Sequence, residues 1–151
     1  MDKGERIIDL RKEEKFIEAY VSLRNRYKEL LLTRQVSVTE TKEWLKNKQV
    51  EVRGLVQHDF LLGSAILYPD RDGEVTVFVR DLQRGIGTRL LNVIEQVAKE
   101  KRMKSVWAWV LFDNEAARRA FQKNGYAVER QSLKSHEGKD RSGVIFRKRI
   151  F

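Results

Sequence analysis

Leu82-Gln83-Arg84-Gly85-Ile86-Gly87-Thr88 decides how this chain is read. It joins an apolar alternation, Glu74 to Val79, to a segment in which Leu90, Leu91, Ile94, Val97 and Ala98 fall on one helical side. A strand, a glycine-rich turn and a helix in succession make an anion cradle. The glycines let the backbone turn tightly, and the first amides of the helix aim at an anion beside the positive end of its dipole. Two other cradles do not fit. A Walker loop places Lys and Ser/Thr after its last glycine, whereas Gly87 is followed by Thr88-Arg89. A dinucleotide fingerprint needs a third glycine where Leu90 stands, and no repeated βαβ unit surrounds it.

Outward from the turn, the pattern is regular. Arg6 to Leu10 reads as a first strand, and Phe16, Tyr20, Leu23, Tyr27, Leu30 and Leu31 build one apolar helical stripe. Ser37-Val38-Thr39-Glu40 is a capping box that opens a second helix docked by Trp44 and Leu45. Gln49 to Gln57 and Phe60 to Leu67 read as strands joined at His58-Asp59, with Asp70-Arg71-Asp72-Gly73 as the next turn. Ser105 to Phe112 is a fifth strand. Asp113-Asn114 caps a helix that stops at Asn124-Gly125. Two more strands, Ala127 to Leu133 and Val144 to Phe151, are expected around a polar loop from Ser135 to Gly143. The order β-α-α-β-β-β-α-β-α-β-β predicts an α/β fold, one mixed sheet flanked by helices.

The 151 residues, 41% of them hydrophobic, suit one domain spanning 1–151 with a real core. No apolar run approaches a membrane span, the start carries no secretory signal pattern, and cysteine is absent. The expectation is a cytoplasmic protein without membrane partners or a metal; His58 and His136 lack ligand spacing. A net charge of +9 suits an anionic partner such as a nucleotide-linked molecule. The basic tail residues Lys139, Arg141, Arg147, Lys148 and Arg149 carry no recognised nucleic-acid signature, so a solvated face explains them equally well.

Two signatures together resemble the GNAT superfamily of acyl-CoA-dependent N-acetyltransferases. One is the loop, similar to the family's Gln/Arg-x-x-Gly-x-Gly/Ala. The other is Asn114-Glu115-Ala116-Ala117-Arg118-Arg119-Ala120-Phe121-Gln122-Lys123-Asn124-Gly125-Tyr126, similar to its Asn-x-x-Ala-x-x-x-Tyr-x-x-x-Gly-Phe/Tyr helix. The resemblance covers essentially the whole chain and implies a GNAT fold with acetyl-CoA as cofactor. It implies that amides from Gln83, Arg84, Gly85, Ile86, Gly87 and Thr88 hold the pyrophosphate, with Arg84 and Arg89 adding charge. Val77, Phe78 and Val79 would offer backbone groups to the pantetheine arm where the fourth and fifth strands splay. Asn114 would touch the cofactor or serve as a plain N-cap, and Phe121 would border it. Leu82 departs from the family's first loop position.

Acetyl transfer needs an amine relieved of its proton. Glu74, on one face with Thr76 and Phe78, is the candidate general base by position; the alternative is a solvated strand end. Phe121 stands where many members carry the tyrosine that protonates the departing thiolate, and Phe has no such proton. Tyr126 is a substitute donor or a packing residue. Trp107 and Trp109 share a face of the fifth strand and are expected to pack into the core beneath a helix, or else to border the cleft. Arg24 and Asn25, followed by an acidic residue in the second helix, are similar to members that acetylate nucleotide-linked amino sugars, which implies substrate contacts; the alternative is that both are ordinary helix-surface residues. The acceptor expected is a small-molecule primary amine, and a homodimer is compatible with the reading. Alternatives are a protein N-terminal or lysine acetyltransferase and a non-catalytic CoA-binding module.

Overall fold

The computed structural model describes residues 4–82 and 85–151. Segments rich in β-branched and aromatic residues form the strands: β1 (Glu5–Asp9), β2 (Glu51–Gln57), β3 (Phe60–Tyr68), β4 (Glu74–Val79), β5 (Ser105–Leu111), β6 (Ala127–His136) and β7 (Lys139–Arg149). They make one sheet in the order β1-β2-β3-β4-β5-β7-β6. Neighbours are antiparallel except β4 and β5, which run parallel and meet at a single register pair, Glu74 with Trp107.

The predicted order of elements is the observed one, with the first helix broken in two. α1 (Ile17–Arg26) gives way at Tyr27 to the one-turn α2 (Lys28–Leu31), which Leu32 ends in the left-handed region at φ 52°. α3 (Val38–Trp44) begins as the capping box requires, with the Ser37 hydroxyl accepting from the Glu40 amide at 3.1 Å. These three helices cover one face of the sheet, where Ile17, Tyr20 and Leu23 pack on Val52, Ile66 and Phe78. On the other face, α4 (Ile86–Glu100) and α5 (Glu115–Lys123) pack Leu90, Ile94 and Phe121 on Ala65, Val75, Val106 and Val110. None of the described helices is long and apolar enough to cross a membrane.

Two expectations need correction. The polar stretch Ser135 to Gly143 is a hairpin end and not a loop. β6 and β7 stay paired through Lys134–Arg141, Ser135–Asp140 and His136–Lys139, and turn at Glu137-Gly138, both at positive φ. That end is exposed along β6, so it carries no apolar alternation to be read. Trp107 and Trp109 are not core residues, and of the two places open to them Trp109 takes the cleft. Val106, Ala108 and Val110 take the buried face of β5, and the two indoles lie on the half-buried face.

Candidate active site

The sheet opens where β4 and β5 part. Strand parity fixes which backbone groups face that seam. The Arg80 amide donates to the Leu62 carbonyl at 2.8 Å, so Phe78, two residues earlier, also spends its backbone groups on β3. Val77 and Val79 have the other parity and face the seam. The Val79 carbonyl accepts the Tyr27 hydroxyl at 2.7 Å. Phe78 is therefore corrected from a backbone contact to a core residue, its ring 5.7 Å from that of Tyr20 and 6.3 Å from that of Tyr27.

At the mouth of the seam, Gly85 enters α4 at φ 71°, and no side chain caps the helix. The amides of Ile86, Gly87 and Thr88 have no partner within the helix, as at any helix start. A Cβ built on Gly85 meets nothing within 4 Å, and one on Gly87 meets only Val79 Cγ1 at 3.9 Å. The space in front of these amides is open to an anion. Ile86 itself buries its side chain in the core, and the Thr88 hydroxyl accepts from Asn124 Nδ2 at 3.2 Å. Gln83 and Arg84, both expected here, lie outside the described residues. Arg89 is corrected: its guanidinium is paired with the buried Glu5 carboxylate, so its charge is spent within the protein.

Behind the seam lies a cavity of about 360 Å³, roofed by α1–α3 and floored by β4 and β5. Asn114, Ala117 and Phe121 of the α5 region line one end of it. Asn114 caps α5, its side-chain oxygen accepting from the Ala117 amide at 3.3 Å. Phe121 stacks on Phe146, with centroids 6.0 Å apart, and meets Tyr126 edge-on at 4.9 Å. Tyr126 is not on the cavity. Its hydroxyl donates to Glu95 at 2.8 Å, and Lys148 pairs with the same carboxylate at 2.9 Å. Burial, and then the Glu95 charge, pushes the Tyr126 pKa up, which fixes it as a neutral donor to Glu95.

The other end of the cavity holds Arg24, Trp44, Tyr68, Arg71, Glu74 and Trp109. The Glu74 side chain is 13% exposed and accepts from Arg71 at 3.3 Å. Tyr68 stands opposite Glu74 in the β3–β4 ladder. Its ring lies 4.1 Å under the Arg71 guanidinium, and burial pushes its hydroxyl pKa up. Trp107 Nε1 donates to the Arg71 carbonyl at 2.9 Å, which fastens the turn before β4. Trp109 packs closely on Gly143 of β7, where a Cβ would come within 2.2 Å of the indole.

Arg24 and Asn25 separate here. Arg24 lines the cavity, 5.1 Å above the Trp44 ring. Asn25 does not, because both ends of its amide engage the Val36 backbone, at 2.9 and 3.0 Å. It fastens the α2–α3 connection to α1. Tyr68 and Arg71 were the residues missed. The signal was present, since Tyr68 falls opposite Glu74 across the Asp70–Gly73 turn as soon as that turn is read as a hairpin.

Residues 17–126 match the family model described as the acetyltransferase (GNAT) family. The chain belongs to that family. It is an acyltransferase, and its cofactor is acetyl-CoA. The GNAT chain has the fold of YncA from Salmonella typhimurium with its cofactor acetyl-CoA. The TM-score is 0.85 and the identity 16%, covering 99% of this chain and 95% of that one. It is also similar to a ribosomal-protein-alanine N-acetyltransferase from Brucella melitensis, with TM-score 0.82, 18% identity and coverage of 95% and 99%. A third is spermidine N-acetyltransferase from Vibrio cholerae in complex with CoA and spermine, with TM-score 0.83, 12% identity and coverage of 98% and 96%. No curated protein sequence matches the chain. The open cradle before α4 and the unpaired β4 edge are what a pyrophosphate on a flexible arm requires, so the residues present fit the cofactor.

Proposed function

We propose that this GNAT acetyltransferase acetylates the primary amine of a small molecule by direct attack. The observation that carries the reading is the place of Glu74, inside an aromatic-walled cavity that opens onto the seam. When bound, acetyl-CoA would supply an activated thioester. The first amides of α4 would hold its pyrophosphate, and the Val77 backbone and the Val79 amide would align its arm. Asn114 and Phe121 border it. Glu74 takes the proton from the attacking amine, and Arg71 holds the carboxylate in place. Phe121 and Tyr126 release no proton to the leaving sulfur, so the rate rests on Glu74 and on positioning. A nucleotide-linked amino sugar is one acceptor of this size, with Arg24 as its contact; Asn25 no longer supports it. The paired test is calorimetric titration with acetyl-CoA, followed by acetylation of small amines against N-terminal peptides. Binding with small-amine turnover is the expected result. Acetylation of peptides alone would overturn the small-molecule reading, and no acetyl-CoA binding would overturn the enzyme assignment.

A further inference from the structure

Polar side-chain atoms buried in proteins are almost always hydrogen-bonded, so a group of unpartnered ones in one place calls for a ligand. Arg24 Nε, Thr33 Oγ1 and Trp109 Nε1 are each buried without a hydrogen-bond partner, and all three residues line the cavity behind the seam. Their chemistry is one-sided. A guanidinium N–H and an indole N–H only donate, and the Thr33 hydroxyl donates as readily as it accepts. The group that satisfies them must therefore be rich in acceptors.

Charge points the same way. Arg24, Arg34, Arg71 and Lys134 face only two carboxylates in the cavity wall, Glu40 and Glu74. Glu40 is paired with Arg34, and Glu74 with Arg71. Arg24 has no carboxylate partner among the described residues. It is held by the Tyr20 hydroxyl, to which it donates at 3.1 Å, and by the face of Trp44. A guanidinium kept among rings with no counter-charge is poised for an anion, and its planar fork suits a carboxylate or phosphate.

We infer that the acceptor is an amine that carries its own anion, with that carboxylate or phosphate seated on Arg24, Thr33 and Trp109 and the amine turned toward Glu74. This rests on the acetyltransferase reading above. It gives the cavity two poles, one of hydrogen-bond donors for the anion and a carboxylate pole for the amine. Polyamines, which bring only positive charge, find no second partner there.

The experiment compares matched acceptors in kcat/KM at fixed acetyl-CoA. An amino acid is set against its decarboxylated amine, and an amino-sugar phosphate against the free amino sugar; spermidine is the polycationic control. Direct titration of each acceptor into the acetyl-CoA-loaded protein accompanies the kinetics. In at least one pair the anionic member is expected to be favoured by about 100-fold, the upper end of what leaving a buried donor unsatisfied costs. Which pair responds separates carboxylate from phosphate. Arg24→Met is expected to erase the preference through KM, while acetyl-CoA binds as before. Trp109→Phe, which keeps a ring and loses the N–H, weakens it several-fold. If Arg24→Met does not fold, Arg24→Lys and the rise of the wild-type KM with salt give the same reading. A preference for the neutral or cationic member in every pair overturns the inference, as does a preference that survives Arg24→Met. Absence of both turnover and binding for all anionic members overturns it too. Failure of acetyl-CoA itself to bind would instead sink the underlying enzyme reading.

Discussion

Glu74 and Tyr126 show how differently a titratable side chain can be employed in one molecule. Glu74 sits at the junction of cavity and seam, held by one arginine from a neighbouring turn. Glu74→Gln is expected to lower kcat by about 100-fold, the lower end of what a general base contributes, with acetyl-CoA affinity unchanged. The loss is greatest at low pH, where the acceptor amine holds its proton. Steady-state kinetics across pH with parallel calorimetry checks this, and an unchanged pH–rate profile would remove Glu74 from the chemistry. Tyr126 serves packing. Tyr126→Phe leaves Glu95 with the Lys148 partner alone and is expected to cost about 1–3 kcal/mol of stability while activity stays near wild type. A large fall in kcat without a fall in melting temperature would return it to the list of proton donors. Which way Glu74, Val77 and Val79 face was legible because a strand's period of two fixes side and direction together. Phe78 was misread for the same reason: three consecutive residues cannot all turn their backbone to one seam. Asn25 was misread because adjacent helix positions point about 100° apart, so its neighbour Arg24 could enter the cavity without it.

At the scale of elements, the proposed reading makes β4 and the start of α4 one device for an anion on an arm. Gly85→Glu is expected to abolish acetyl-CoA binding in calorimetry, because the added carboxylate enters the space before the free amides. The positive φ at Gly85 adds about 1–3 kcal/mol of strain, which circular dichroism would separate from unfolding. Unimpaired binding would move the pyrophosphate elsewhere. Hydrogen exchange offers a finer test. On adding CoA, the Val77 amide is expected to exchange more slowly, whereas the Phe78 amide, already engaged with β3, is not; equal protection of both would contradict the parity argument. Element order and most boundaries were readable in the sequence, since caps and glycines punctuate them. The end of the β6–β7 hairpin was not, because β6 is exposed almost throughout and nothing selects apolar residues there.

Across the whole molecule, the sheet is two hydrogen-bonded halves, β1–β4 and β5–β7–β6, joined at one register pair and by packing against α4. A ligand in the seam is bound by both halves. Acetyl-CoA at 100 times its Kd is expected to stabilise the fold by about 2.7 kcal/mol. For a domain of this size that is roughly 5–10 °C in melting temperature, measurable by scanning calorimetry. No shift at saturation would mean that the cofactor does not bind the folded protein in preference to the unfolded chain. The division also bears on how the chain is made. Synthesis from the N-terminus completes β1 to β4, each antiparallel to the last, and then α4, before β5 exists. That half finds its partners nearby, but the outer backbone edge of β4, carrying Val75, Val77 and Val79, emerges uncovered. An uncovered apolar edge is a template for strands of other chains. The seam of the finished enzyme thus begins as a hazard on the ribosome, and it is lifted only when β5 to β7 dock.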